Sequence, residues 1–84
     1  MSDYDLAKEA ANLAKHGISL SRWIELDIKI TFEDDRFEYG ETRYRLYGLI
    51  DGVAYCFVFT IRDGKVRPIS LRRAHTKEMK RYAP

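Results

Sequence analysis

RYRLYGLIDGVAYCFVFTIRDGKVRPISL, Arg43 to Leu71, carries two Asp-Gly pairs, at 51–52 and 63–64, between segments of strand-like pattern. Asp-Gly suits a two-residue hairpin because both central positions need positive φ, which glycine adopts freely and aspartate tolerates. Arg43 to Ile50 alternates, with Tyr44, Leu46, Gly48 and Ile50 on one side and Arg43, Arg45, Tyr47 and Leu49 on the other. Val53 to Ile61 is nearly all apolar, as a central strand covered on both faces requires. Val66 to Leu71 predicts the strand that follows the second hairpin. Two tight turns in succession therefore make three antiparallel neighbours. Upstream, Ile28, Ile30 and Phe32 alternate with Lys29 and Thr31 and predict a fourth strand, joined to the others through the polar connection EDDRFEYGE.

Outside the sheet the period lengthens. Leu6, Ala10, Leu13 and Ala14 fall on one face of a helix predicted over Asp5 to Lys15, and that face is expected to meet the core. Asp5 can cap its start, and Gly17 can take the left-handed conformation that closes its end. Lys15 and His16 fall in the last turn, where cations complement the helix dipole. Ile18, Leu20, Trp23, Ile24 and Leu26 predict a short second helix capped by Ser19 or Ser21, and Ala74 to Tyr82 has helical spacing. The expected fold class is α+β: two N-terminal helices, a four-stranded antiparallel sheet and a C-terminal helix, in a single domain over residues 1–84. A chain of 84 residues buries only about 60–65% of the surface its unfolded form exposes, so a partner that binds the folded state adds useful stability. The single Cys56 excludes an internal disulfide, and its apolar surroundings predict a buried, inert thiol in a reducing compartment. Neither a membrane span nor a signal peptide is expected, which points to the cytoplasm.

Charge is divided along the chain. Met1 to Thr42 holds five basic and ten acidic residues, a balance of −5, and Arg43 to Pro84 holds ten basic and three acidic, a balance of +7. Such asymmetry points to a polyanion, although internal pairing of the two halves would produce the same numbers. The stretch ISLRRAHTKEMKRY, Ile69 to Tyr82, concentrates the cations. Within it Arg73, Lys77, Lys80 and Arg81 recur at spacings of three and four and predict one basic stripe. Arg43 and Arg45 share a strand face and, if that face is open, extend the phosphate track with Lys65 and Arg67. They could equally be edge protection. Trp23, Tyr44, Tyr47, Tyr55, Phe57 and Phe59 could stack bases, but at this density most are expected in the core. His16 and His75 stand apart in the chain and outside any ligand-spaced cluster, so neither a metal nor another cofactor is expected.

Four short patterns add a family resemblance. Asn12-x-x-Lys15-His16-Gly17-Ile18, Tyr39-Gly40-Glu41-x-Arg43, Thr60-x-Arg62 and Ile69-Ser70-x-Arg72-Arg73-Ala74-x-x-x-Glu78-x-x-x-Tyr82 occur in the order and spacing of BrnT-type toxins. The chain resembles that family from about Tyr4 to Tyr82. It departs in having Tyr4-Asp5 in place of Trp-Asp, Leu71 after Ile-Ser, and His75 where Thr or Ser gives the better cap. The resemblance implies a RelE-like fold and a bacterial type II toxin that cleaves RNA and arrests translation. It also implies neutralisation by a DNA-binding, BrnA-like ribbon-helix-helix antitoxin, and a possible ribosome contact.

Metal-independent cleavage of RNA requires a group to take the 2′-hydroxyl proton and cations to hold charge on the phosphorane. The expected catalytic set is Arg62, Arg72 and Arg73 as phosphate stabilisers, with Glu78 or Tyr82 in proton transfer. Lys77, Lys80 and Arg81 are expected to hold RNA, together with Arg43, Arg45, Lys65 and Arg67. Glu78 has a structural alternative as the carboxylate of a capping box, and neighbouring cations would make it a poor base. His16 is expected to bond the last carbonyls of the first helix. The rival function is a non-enzymatic subunit that binds nucleic acid or a partner and cuts nothing.

Overall fold

The computed structural model describes residues 6–34 and 40–82, without the side chain of Tyr82. The expected Asp5 cap and much of the EDDRFEYGE connection lie outside these residues. The elements in chain order are α1 (Leu6–His16), a 3₁₀ helix (Leu20–Glu25), β1 (Asp27–Asp34), β2 (Arg43–Ile50), β3 (Val53–Arg62), β4 (Lys65–Arg73) and α2 (Thr76–Tyr82). The strands form one antiparallel sheet in sequence order, β1-β2-β3-β4, with β1 and β4 at its edges. This is the α+β class expected from the pattern, with a 3₁₀ helix in place of the second α-helix.

Both hairpins turn where the Asp-Gly pairs stand. Asp51 and Gly52 have φ of 50° and 77°, and Asp63 and Gly64 have 54° and 74°, the double positive φ of a type I′ turn. Their twist matches that of the flanking strands, so pairing continues up to each turn. Antiparallel registration then sorts the side chains. Tyr44, Leu46 and Ile50 of β2, Tyr55, Phe57 and Phe59 of β3, and Val66 and Leu71 of β4 face the core with Ile18, Leu20, Trp23 and Leu26. Trp23 stacks on Phe57 with ring centroids 5.2 Å apart, Phe57 on Phe59 at 5.1 Å, and Phe59 on Tyr44 at 5.4 Å. Most aromatic side chains among the described residues are thereby committed to packing, and Cys56 is buried as expected.

The orientation of α1 differs from the expected one. Leu6 is 80% and Leu13 53% exposed, Ala10 and Ala14 are exposed too, and Asn12 is the residue that turns inward. Its amide nitrogen donates to the carbonyls of Leu71 at 2.9 Å and Ile18 at 3.0 Å, and its oxygen accepts the Leu71 N–H at 2.9 Å. Leu71 lies on an edge strand, whose outward backbone groups have no neighbouring strand to pair with. Asn12 completes that pairing and docks α1 along β4. Gly17, at φ 72°, then ends the helix and donates to the Leu13 carbonyl at 2.9 Å, turning the chain into the core at Ile18. Ser19 and Ser21 act together: Glu9 accepts from the Ser19 hydroxyl and, at 3.0 Å, from the Ser21 N–H.

Candidate functional site

The sheet face opposite the core carries α2. Registration aligns Tyr47, Cys56 and Arg72 in one row across β2, β3 and β4, on that second face. Residues Ala74 and His75 turn the chain, and α2 sets Glu78 over the row. Glu78 accepts four hydrogen bonds: from Arg72 Nη1 at 2.8 Å and Nη2 at 2.9 Å, from the Tyr47 hydroxyl at 2.7 Å, and from the His75 N–H at 3.0 Å. The last of these is the carboxylate half of a capping box, the structural alternative weighed above. The two from Arg72 form a bidentate, charge-assisted pair. The Arg72 guanidinium holds the Glu78 carboxyl far below the usual carboxylate range, helped by the His75 N–H and the Tyr47 hydroxyl. A carboxylate so satisfied is a poor proton acceptor. Burial, and next the hydrogen bond to Glu78, push the Tyr47 phenol above its ordinary range, and burial likewise raises the Cys56 thiol.

Tyr47 links this pair to a second one. Its hydroxyl accepts from Arg45 Nη1 at 3.3 Å, and Arg45 Nε lies 3.6 Å from an Asp34 carboxylate oxygen. The Arg45 guanidinium also stands over the Phe32 ring, 4.8 Å from its centroid. Arg45 is 5% exposed, so it does not extend an open cationic stripe as the alternation of β2 suggested. It sits inside a network that a phosphate chain does not reach.

The expected catalytic arginines do not form one cluster. Arg62 pairs with Lys65 at the far hairpin, whereas Arg72 is level with Cys56. Six residues of β3 separate those positions, about 20 Å at ~3.3 Å per residue. Arg62 instead meets Glu41 at 2.8 Å. Arg73 belongs to β4 and sits opposite Tyr55, on the other sheet face from Arg72. It therefore does not continue the helical stripe of Lys77, Lys80 and Arg81, which are exposed on α2. Arg43, Arg67 and Lys65 gather toward the Arg62 end of the sheet. The Tyr82 side chain lies outside the described residues. Arg72 remains the expected site arginine with the most developed surroundings. Its side chain is 25% exposed, and its Nε–H and one Nη2 hydrogen have no partner among the described residues.

A second feature lies beside Arg72 at the β4 edge. Lys8, Asn12, Lys15 and His16 of α1 and Ile69 and Ser70 of β4 line an open pocket of about 170 Å³. Lys8, Asn12 and Lys15 recur at spacings of four and three, so the helix face that docks on β4 is its polar one. Burial, then the Lys15 and Arg72 charges, lower the half-buried His16 imidazole below its ordinary value. Sequence reasoning missed this pocket and the structural part of Asn12, although Asn12, Lys15 and His16 stand in one of the four quoted patterns. It also read Tyr47 only as an aromatic. Among the described residues no group of three His, Cys, Asp or Glu could hold a metal ion, and no helix is long and apolar enough to cross a membrane.

Residues 4–78 match the sequence model of the family described as ribonuclease toxin, BrnT, of type II toxin-antitoxin system. The chain belongs to the BrnT family. No curated protein and no solved structure matches it. The BrnT match takes in α1, the whole sheet and α2 as far as Glu78, so it includes both the Arg72–Glu78 pair and the α1–β4 pocket. A BrnT chain is a ribonuclease toxin with an antitoxin partner and an RNA substrate.

Proposed function

We propose that this chain is a metal-independent endoribonuclease toxin that cleaves RNA through the neighbouring 2′-hydroxyl, arrests translation, and is silenced by a DNA-binding ribbon-helix-helix antitoxin. Arg72 stabilises the charge that gathers on the phosphorane, and Glu78 is a positioning residue. The carrying observation is the bidentate Arg72–Glu78 pair, which fixes a permanently charged guanidinium at the sheet edge while leaving two of its N–H groups unspent. A preorganised donor of this kind acts on transition-state charge without reorganising at the moment of reaction. Arg62, about 20 Å away by strand length, takes no part in that step and belongs with Lys65 to a longer RNA path.

Induced expression tests the reading in cells, and RNA incubated with purified chain tests it in solution. Wild type is expected to arrest growth and to leave cyclic-phosphate or 3′-phosphate ends. Arg72→Ala is expected to lose about 10²–10³-fold in cleavage rate, the loss typical of removing one oxyanion donor. Equal toxicity of the two forms removes Arg72 from the site. RNA left intact by a folded wild type favours the non-enzymatic subunit instead.

A further inference from the structure

The pocket between α1 and β4 has a composition that core packing does not explain. Two lysines, a histidine, an asparagine and a serine line it, and no acidic side chain is among them. Asn12 is spent on Leu71 and Ile18. The side chains of Lys15, His16 and Ser70 have no hydrogen-bond or ion-pair partner among the described residues. An ammonium, an imidazole and a hydroxyl left unpaired around a cavity are the chemistry that receives a phosphodiester. Ser70 and Arg72 share a face of β4, two residues apart, so the pocket continues the Arg72 edge.

We propose that this pocket seats the scissile phosphate of RNA, with His16 as the group that accepts the 2′-hydroxyl proton. The inference rests on the ribonuclease reading above and supplies the base that Glu78 cannot be. His16 takes the 2′-hydroxyl proton as the 2′-oxygen–phosphorus bond forms, and the phosphorus–5′-oxygen bond breaks. The 5′-oxygen leaves as a hydroxyl with a proton from solvent, to which the imidazolium later returns its own. The products are a 2′,3′-cyclic phosphate and a 5′-hydroxyl, with no net consumption of water. Lys15, Lys8 and Arg72 carry the phosphorane charge, and Ser70 donates to a phosphate oxygen.

The charged groups that act on His16 are Lys15 on α1 and Arg72 on β4, the latter shared with Glu78 on α2. Burial most of all, and then the Lys15 and Arg72 charges, favour the neutral imidazole. The base is therefore ready at neutral pH and is lost by protonation only below the ordinary imidazole value of about 6.5.

The test uses the purified full chain and a defined RNA oligonucleotide, with cut ends mapped and rates followed from acid to neutral pH. Wild type is expected to give cyclic-phosphate ends and a rate that falls in acid. His16→Gln is expected to lose 10²–10⁴-fold at neutral pH and to lose that acidic limb. Its binding of the uncleavable 2′-deoxy oligonucleotide should change by no more than about twofold, well inside what loss of one phosphate contact costs. Lys15→Gln is expected to weaken binding of the same 2′-deoxy probe. Wild-type rates and an unchanged limb in His16→Gln overturn the inference and leave the ribonuclease reading standing. Intact RNA, or 5′-phosphate ends from wild type, overturn both. Ring resonances of His16 in unmodified protein give a check independent of any variant: the 2′-deoxy oligonucleotide should shift them and raise the titration midpoint. Resonances unmoved by saturating oligonucleotide also overturn the inference.

Discussion

Glu78 has no spare capacity, because Arg72, Tyr47 and the His75 N–H occupy both of its oxygens. Its effect on folding follows from proton linkage. An unfolded Glu titrates near 4.3, and the folded group titrates well below that. Between those limits the unfolded chain binds more protons, so stability falls as pH drops below about 4.5. Glu78→Gln should flatten that limb in urea titrations between about pH 3 and pH 6, whereas Glu41→Gln, at an exposed pair with Arg62, should leave most of it. A limb unchanged in Glu78→Gln would assign acid sensitivity to other carboxylates. Tyr47 works in the opposite direction: its raised phenol pKa gives stability that is lost as pH rises past about 10, the ordinary tyrosine value. Asn12 is the other residue with no slack. Asn12→Ala strands the Leu71 N–H and C=O and the Ile18 carbonyl at a buried contact. The expected cost is about 2–3 kcal/mol, read as a lower urea midpoint at unchanged m-value. Asn12→Asp should be worse, since its carboxylate would face two carbonyls that now receive N–H groups.

Among the elements, β1 is the one whose placement depends on a single missing side chain. Its register shifts between Ile28 and Ile30, opposite Gly48 and Tyr47. A Cβ built on Gly48 would stand 2.7 Å from the Asp27 carbonyl oxygen and 3.2 Å from its carbon. Both atoms are backbone and cannot swing away. Gly48→Ala should therefore displace the start of β1, costing about 1–3 kcal/mol, with faster amide exchange in β1 than in β3 and β4. Uniform protection across the sheet would show that the bulge absorbs the methyl. Strands and turns were legible because their signals are local: a period of two, and Asp-Gly where both φ values must be positive. The face of α1 was not. Four apolar residues at helical spacing suggested one side, but the edge of β4 decides the orientation, through an asparagine 59 residues away in sequence from its partner. Periodicity weighs apolar residues and gives no credit to a side chain that completes a sheet edge. The last helix was legible but starts at Thr76, two residues later than its spacing suggested, and Arg73 was assigned to its stripe because strand β4 runs two residues beyond its apolar pattern.

At the scale of the molecule, the divided charge has two outcomes. Part is spent internally, with Asp34 beside Arg45 and Glu41 on Arg62, which joins the acidic half of the chain to the basic half. The rest is outward, and Lys15, Lys65, Arg73, Lys77 and Lys80 have no ion-pair partner among the described residues. Arg72 and Glu78 were both singled out in the sequence because one short motif holds them, and the structure pairs them. Tyr47, 31 residues earlier than Glu78, was not, since only strand registration brings it beneath the carboxylate. The proposed RNA path makes a quantitative demand on the outward cations. Each phosphate contact on a single strand contributes about 0.7 to the slope of log affinity against log salt. Lys77 and Lys80, exposed on the helix that carries Glu78, should together account for about 1.4 of it, so Lys77→Gln/Lys80→Gln should shallow the slope by that amount. Cut positions should stay where they are, because phosphate contacts position the strand without reading its sequence. Lys65→Gln, about 20 Å along the sheet from Arg72, should alter the slope only for oligonucleotides long enough to reach it. An unaltered slope in the α2 double variant would take α2 out of the RNA path and leave the β4 edge and the α1 pocket to hold the strand alone.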